Sequence, residues 1–139
     1  MLMTVPVNVV LVTVAVLIHY EALNFLSRLF HQMSLRHRFR LVLGVGGALC
    51  AHALEIWVFA LAYWLLIDTG LFGNLEGHFG GTLVDCAYYS FTTYTSLGFG
   101  DIHPVGLIRF SSALETLTGL VLIGWTASFI YMEMRRFWE

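Results

Sequence analysis

Three long apolar stretches dominate this chain: one from about Val5 to Leu26, a second from Leu41 to Ile67 and a third from about Val105 to Met134. Each has the roughly 20 residues a helix needs to cross the hydrocarbon of a bilayer. Main-chain polar groups cannot be left unpaired in that solvent, so the stretches are predicted to be membrane helices. The composition agrees: 58% hydrophobic and 12% charged residues are far from the balance of a soluble domain. The first stretch has no basic n-region before it, and no small-residue cleavage site follows Ile18, so it is expected to stay as a helix and not to be removed as a signal peptide. The fold class predicted is an all-α membrane protein without repeats, heptad seams or flanking soluble domains.

Charge placement orients the spans. All seven basic residues are arginines, and Arg28, Arg36, Arg38, Arg40, Arg135 and Arg136 flank the first and second spans or lie beyond the third. The connection from Asp68 to Gly106 carries Asp68, Glu76, Asp85 and Asp101 and no arginine. The positive-inside rule then places the N-terminus outside, the segment around residues 28–40 in the cytoplasm, the acidic connection outside and the C-terminus inside. Tyr131, Phe137 and Trp138 are expected to anchor the third span at the interface. Cys50 falls in a span and Cys86 in the outward connection, so no disulfide between them is expected.

The outward connection contains a short helix signal. Asp68 to Gly81 is rich in glycine and is expected to be irregular and solvent-facing. Thr82-Leu83-Val84-Asp85 then has the form of a capping box, and the helix it starts should run to about Tyr94, about half the length of a spanning helix. It would enter the membrane and stop, with the partial negative charge of its C-terminal carbonyls aimed inward. The adjoining segment, Thr95-Ser96-Leu97-Gly98-Phe99-Gly100-Asp101, alternates glycines with apolar residues. Gly98 and Gly100 can take positive φ, which lets successive carbonyls face a common axis while Leu97 and Phe99 point away and anchor the strand. Such a segment is tolerated at membrane depth only where it lines a cavity. One strand cannot surround an ion, whereas four copies about an axis can, so a homotetramer is expected.

Tyr88 to Pro104, with its Gly98-Phe99-Gly100-Asp101 core, resembles the pore helix and selectivity filter of the potassium-channel superfamily, in particular its small two-helix-pore and two-pore-domain branch. The resemblance covers about residues 41–134. It implies a pore domain over that range, preceded by a membrane helix (1–30) and a basic cytoplasmic loop (31–40) and followed by a short cytoplasmic end (135–139). It implies that Ser96, Leu97, Gly98, Phe99 and Gly100 coordinate potassium ions, that the second span is the outer helix and that the third lines the pore. The expected bound species are potassium ions, with no organic cofactor, and the expected location is the plasma membrane, with lipid and three further copies of the chain as partners. Ser96 replaces the usual threonine and Phe99 the commoner tyrosine. Tyr88 and Tyr89 stand where many relatives have tryptophan, and Thr92 where they have glutamate. Tyr88, Tyr89, Thr92, Thr95 and Asp101 are expected to support the filter, with Tyr88 or Tyr89 donating to Asp101.

Gly119 and Gly124 of the third span are candidates for a hinge or for close packing. His52, Glu55 and Glu115 are ionisable residues within spans, and such groups are costly in lipid. His52 and Glu55 share a helix face at i, i+3, and Glu115 is nearer the outer side. These three can serve as interhelical hydrogen-bond partners, a proton sensor or, for His52 and Glu55, a metal pair. His19 and Glu21 are two apart and face different sides. His78 and His103 are expected to be solvated outer-loop residues. The chain has no phosphate loop, no nucleophile with a nearby base and no metal-cluster spacing, so catalysis is not expected, and no nucleic-acid partner is expected either. Two functions compete: a potassium-selective channel, and a non-conducting or weakly selective membrane subunit that acts through a partner.

Overall fold

The computed structural model describes residues 4–32 and 37–135. Arg36, Arg136, Phe137 and Trp138, which enter the charge and anchoring patterns of the sequence, lie outside the described residues. The elements run in the order α1 (Thr4–Gln32), α2 (His37–Asp68), β1 (Asn74–Gly77), α3 (Leu83–Tyr94), β2 (Ile102–Val105) and α4 (Ile108–Arg135). Helices α1, α2 and α4 are long and apolar enough to cross a membrane. Within a single chain only about a quarter of each such span is buried. The remaining apolar surface, for example Leu117, Leu120 and Val121 of α4, faces outward. In water that surface would drive association, whereas in a bilayer it is the expected state of a lipid-facing or subunit-facing helix.

Two expectations are corrected here. Of the basic loop expected over 31–40, residues 31–32 and 37–40 are helical, because α1 continues to Gln32 and α2 begins at His37 and already contains Arg38 and Arg40. Arginine is a good helix former, so the change from charged to apolar residues does not mark the helix boundary. The glycine-rich stretch from Asp68 to Gly81 is not irregular throughout. Asn74–Gly77 pairs antiparallel with Ile102–Val105, in the register Leu75 opposite Pro104 and Glu76 opposite His103. Leu75 and Ile102 are buried in the core. The segment after Asp101 is thereby fastened to the segment that leaves α2.

The core gathers Phe59, Ala60 and Tyr63 of α2, Cys86, Ala87 and Tyr89 of α3, and Ile108 and Leu122 of α4 around Ala15 of α1. Helix α1 therefore packs on α2 and α4 of its own chain. A second cluster of Leu23, Leu26 and Phe30, with Phe129 of α4 against it, continues this seam. At the other end of α1, the Ser111 hydroxyl of α4 donates to Asn8 Oδ1 at 2.7 Å. Cys50 and Cys86 are both free.

Candidate functional site

Helix α3 starts on a complete capping box. Thr82 Oγ1 accepts from the Asp85 amide at 3.1 Å, and Asp85 Oδ2 accepts from the Thr82 amide at 3.2 Å. The Asp85 carboxylate also takes the Thr82 hydroxyl (2.8 Å) and the Gly80 amide (3.0 Å). These donors, the Thr82 hydroxyl first, hold its pKa below the ordinary carboxylate value. With 12 residues, α3 is about 18 Å long. Its last residue, Tyr94, reaches Glu55 and His52, near the middle of α2. Glu55 lies 13 residues before the end of α2, about 20 Å along its axis. Helix α3 thus stops about halfway down the spanning helices.

From there the chain must return to β2 beside the end of α2. The segment that makes this return opens with a turn at Thr95 and Ser96 and is neither helix nor strand from Leu97 to Asp101. The expected positive φ is found at Gly98 (51°) and Gly100 (81°), and Ser96 shares it at 60°. Left-handed backbone therefore occurs at alternate residues, 96, 98 and 100. Ser96 is an addition to what the glycines foretold, since a side chain costs roughly 1–2 kcal/mol in that conformation. Its place directly after the last turn of α3 explains it: the Ser96 amide turns back to the Thr93 carbonyl at 3.0 Å, a helix-ending geometry usually given to glycine. The Gly98 amide donates to the Thr92 carbonyl at 3.0 Å, so the start of this segment is bound to the end of α3. Residues 95–100 are all exposed in the single chain, with Leu97 and Phe99 about 60% exposed.

The expected supports divide. The Tyr88 hydroxyl donates to Asp101 Oδ2 at 2.9 Å, tying the far end of the segment to α3. Tyr89 does not share this role, because one position further round the helix its hydroxyl points inward and donates to Ser112 of α4 at 2.7 Å. The Thr92 hydroxyl bonds to the Tyr89 carbonyl and the Thr95 hydroxyl to the Phe91 carbonyl, so both brace α3 itself. Gly119 is a close-packing site. A Cβ there would come within 2.9 Å of the Tyr94 carbonyl carbon and nearer still to its oxygen. Gly124 has nothing within 4 Å of such a Cβ, and α4 continues unbroken through both glycines.

Two buried polar networks join the helices. Glu115 of α4 accepts from the hydroxyls of Tyr63 (α2) and Ser90 (α3). No ion pair to it occurs among the described residues. The second network gathers side chains from all four helices. Glu55 Oε1 lies 3.0 Å from His19 Nδ1 of α1, and Glu55 Oε2 lies 3.2 Å from His52 Nδ1 and accepts from the Tyr94 hydroxyl. The outer nitrogens of the two imidazoles converge on Thr126 Oγ1 of α4, at 3.0 Å from His52 Nε2 and 3.3 Å from His19 Nε2. The expected His52 and Glu55 pair is therefore real but incomplete without His19, Tyr94 and Thr126. Glu115 belongs to the separate network. One signal for His19 was available: it is an ionisable residue in the middle of an apolar span. Glu21, as expected, faces elsewhere and is exposed. His78 and His103 are exposed as well.

The sequence model of the ion channel family matches residues 51–136, from the middle of α2 to just past the end of α4. Comparison with curated proteins and with solved structures gave no match.

Proposed function

This chain belongs to the ion channel family, and we propose that it is a potassium-selective channel of the plasma membrane, assembled as a homotetramer. One observation carries the reading. A half-length helix ends near the middle of the spanning helices and leads into a main chain that is neither helix nor strand, left-handed at alternate residues and open along its whole length. Exposed main chain at that depth is tolerated only where it lines a cavity or is covered by protein. Four copies about an axis meet both conditions. The carbonyls of Ser96, Leu97, Gly98, Phe99 and Gly100, with the Ser96 hydroxyl innermost, replace the hydration shell of potassium. The bare side chains of Leu97 and Phe99 then pack on neighbouring subunits. Helix α4 lines the conduit below, α2 is the outer helix, and the arginine pattern sets the C-terminus in the cytoplasm.

Potassium flux into liposomes holding the purified protein, with sodium flux as control, tests this. Selective potassium entry that is lost in Gly98→Val supports the reading. Equal entry of both ions favours a weakly selective pore, and no entry of either, or particles smaller than tetramers, refutes it.

A further inference from the structure

The network of His19, His52 and Glu55 has more chemistry than the packing of helices needs. Elsewhere this protein joins its helices with hydroxyls, an amide and the Glu115 carboxylate: Ser111 to Asn8, Tyr89 to Ser112, the Thr116 hydroxyl to the Thr93 carbonyl, and Tyr63 and Ser90 to Glu115. Imidazoles join helices only in this network among the described residues. A cluster of three ionisable side chains here is costly beside the hydroxyl ties used at the other helix contacts.

We propose that His19, His52 and Glu55 form a binding site for a borderline divalent transition-metal ion of the zinc type, clamping α1 to α2 beside the end of α3. Two imidazoles and one carboxylate are the donor set of three-ligand zinc sites that keep a fourth position open. One carboxylate with two nitrogens suits zinc far better than magnesium or calcium, which take oxygen ligands. His52 and Glu55, three apart on α2, approach one point from one helix, and His19 approaches it from α1. One donor atom from each of the three residues lies within 4.8 Å of the others. A tetrahedral zinc with bonds of about 2.0–2.1 Å has ligands about 3.3 Å apart. His19 Nδ1 lies 3.0 Å from Glu55 Oε1 and His52 Nδ1 3.2 Å from Glu55 Oε2, so each imidazole is near that spacing from one oxygen of the carboxylate. Bringing the three donors from within 4.8 Å of one another to that spacing takes movements of about 1.5 Å at most, which side-chain rotation supplies.

The surroundings fit a cation. Thr126, on the outer nitrogens of both rings, holds their Nδ1 atoms toward the carboxylate, the part that partners behind the ligands play in metal sites. The Tyr94 hydroxyl, 2.8 Å from His52 Nδ1, borders the same space. Zinc on a single carboxylate leaves one net positive charge, and Tyr94 is the last residue of α3, where the helix carbonyls carry partial negative charge. His52, the one member not fully buried, opens onto a cavity of about 340 Å³ that Ala48, Tyr94, Thr95, Ile123 and Thr126 also line, which gives an ion a way in.

This site does not depend on what the pore conducts, and its test uses the purified full chain in detergent. After stripping with a chelator and dialysis against zinc chloride, the protein should retain about one zinc per chain. Cobalt(II) in its place should show the intense visible absorption of a four-coordinate ion. His19→Gln, His52→Gln and Glu55→Gln should each weaken zinc retention at least about tenfold, whereas His78→Ala and His103→Ala should leave it unchanged. Zinc retention no higher than in a His19→Gln/His52→Gln double variant overturns the proposal. So does a weak, six-coordinate cobalt spectrum in the unaltered protein, a result that stands even where a variant fails to fold.

Discussion

Gly119→Ala is the sharpest mechanical test of how α4 holds the end of α3. The added methyl would stand 2.9 Å from the Tyr94 carbonyl carbon and 3.0 Å from its Cδ1, with the carbonyl oxygen closer than either. Carbon atoms settle at about 3.5 Å or more, so α3 and α4 must part by at least about 0.6 Å there. Tyr94 cannot simply swing aside, because it is fully buried and bonded to Glu55 and His52. Overpacking against such an unyielding neighbour costs about 3 kcal/mol, at the upper end of its usual range. The same parting stretches the bond from Thr116 Oγ1 to the Thr93 carbonyl, now 3.2 Å, past useful length, for about 1 kcal/mol more. Replacing glycine in a helix returns about 1 kcal/mol. The net expectation is a loss of about 3 kcal/mol, with a displaced Tyr94 two residues before Ser96. Gly124→Ala meets nothing within 4 Å and should only gain helix propensity. Unfolding titrations in sodium dodecyl sulfate, run beside potassium flux in liposomes, read both effects. If Gly119→Ala is as stable as Gly124→Ala and conducts normally, the contact does not hold α3 in place.

Three further outcomes are expected. Asp85 has a lowered pKa in the folded protein, so its contribution is whole above the ordinary carboxylate value of 3.8 and is lost as pH falls through the folded value, which lies below 3.8. Thermal unfolding of the native protein and Asp85→Asn should therefore differ by a constant margin near neutrality, and the margin should close only below about pH 3.8; a margin that closes between about pH 5 and 7 contradicts the capping role. Tyr88→Phe removes the tie to Asp101 and should lower the potassium-over-sodium flux ratio at little cost in stability. Tyr89→Phe, which leaves Ser112 without its donor, should keep the ratio and lose about 1 kcal/mol of stability in the same titration; the opposite pattern would exchange the two roles. Glu115→Ala leaves the buried Tyr63 hydroxyl without its acceptor, at about 1–3 kcal/mol before any cavity is counted. Combining it with Tyr63→Phe should cost less than the two changes summed, and strict additivity would show that the two side chains do not act together.

The features legible in the sequence were those encoded locally. The spans come from uninterrupted apolar runs, and helix α3 from Thr82 and Asp85 three residues apart, since a capping box closes within one turn. The left-handed backbone at 98 and 100 comes from glycine, which is free to adopt it. Ser96 lacked that signal because its conformation is imposed by the end of α3. Pairing of Asn74–Gly77 with Ile102–Val105 depends on contacts between segments well separated along the chain, and the local glycines concealed it. Tyr88 and Tyr89 carry the same hydroxyl on adjacent positions, and only the orientation of α3 on α4 decides which one meets Asp101. His52 and Glu55 were legible because they are one helical turn apart. His19 is 36 residues from Glu55, and no periodicity reports that distance.

The end of α3 is where these separate contacts meet, and this changes the standing of α1. Tyr94 is held by Glu55 and His52 of α2 and pressed by Gly119 of α4, while the neighbouring Thr93 carbonyl accepts from Thr116. The main chain of 96–100 begins two residues later, so its starting point is set by α2 and α4 together. Glu55, in turn, is shared with His19, and the ring of His19 also lies 5.3 Å from that of Trp125 on α4. Without α1, Glu55 would lose one of its partners within an apolar seam, and Ala15, Leu23, Leu26 and Phe30 would leave their contacts on α2 and α4 uncovered. Burial of that seam and completion of the Glu55 network both require the first helix. It is therefore part of the support for α3 and not an appendage to a pore that would stand without it.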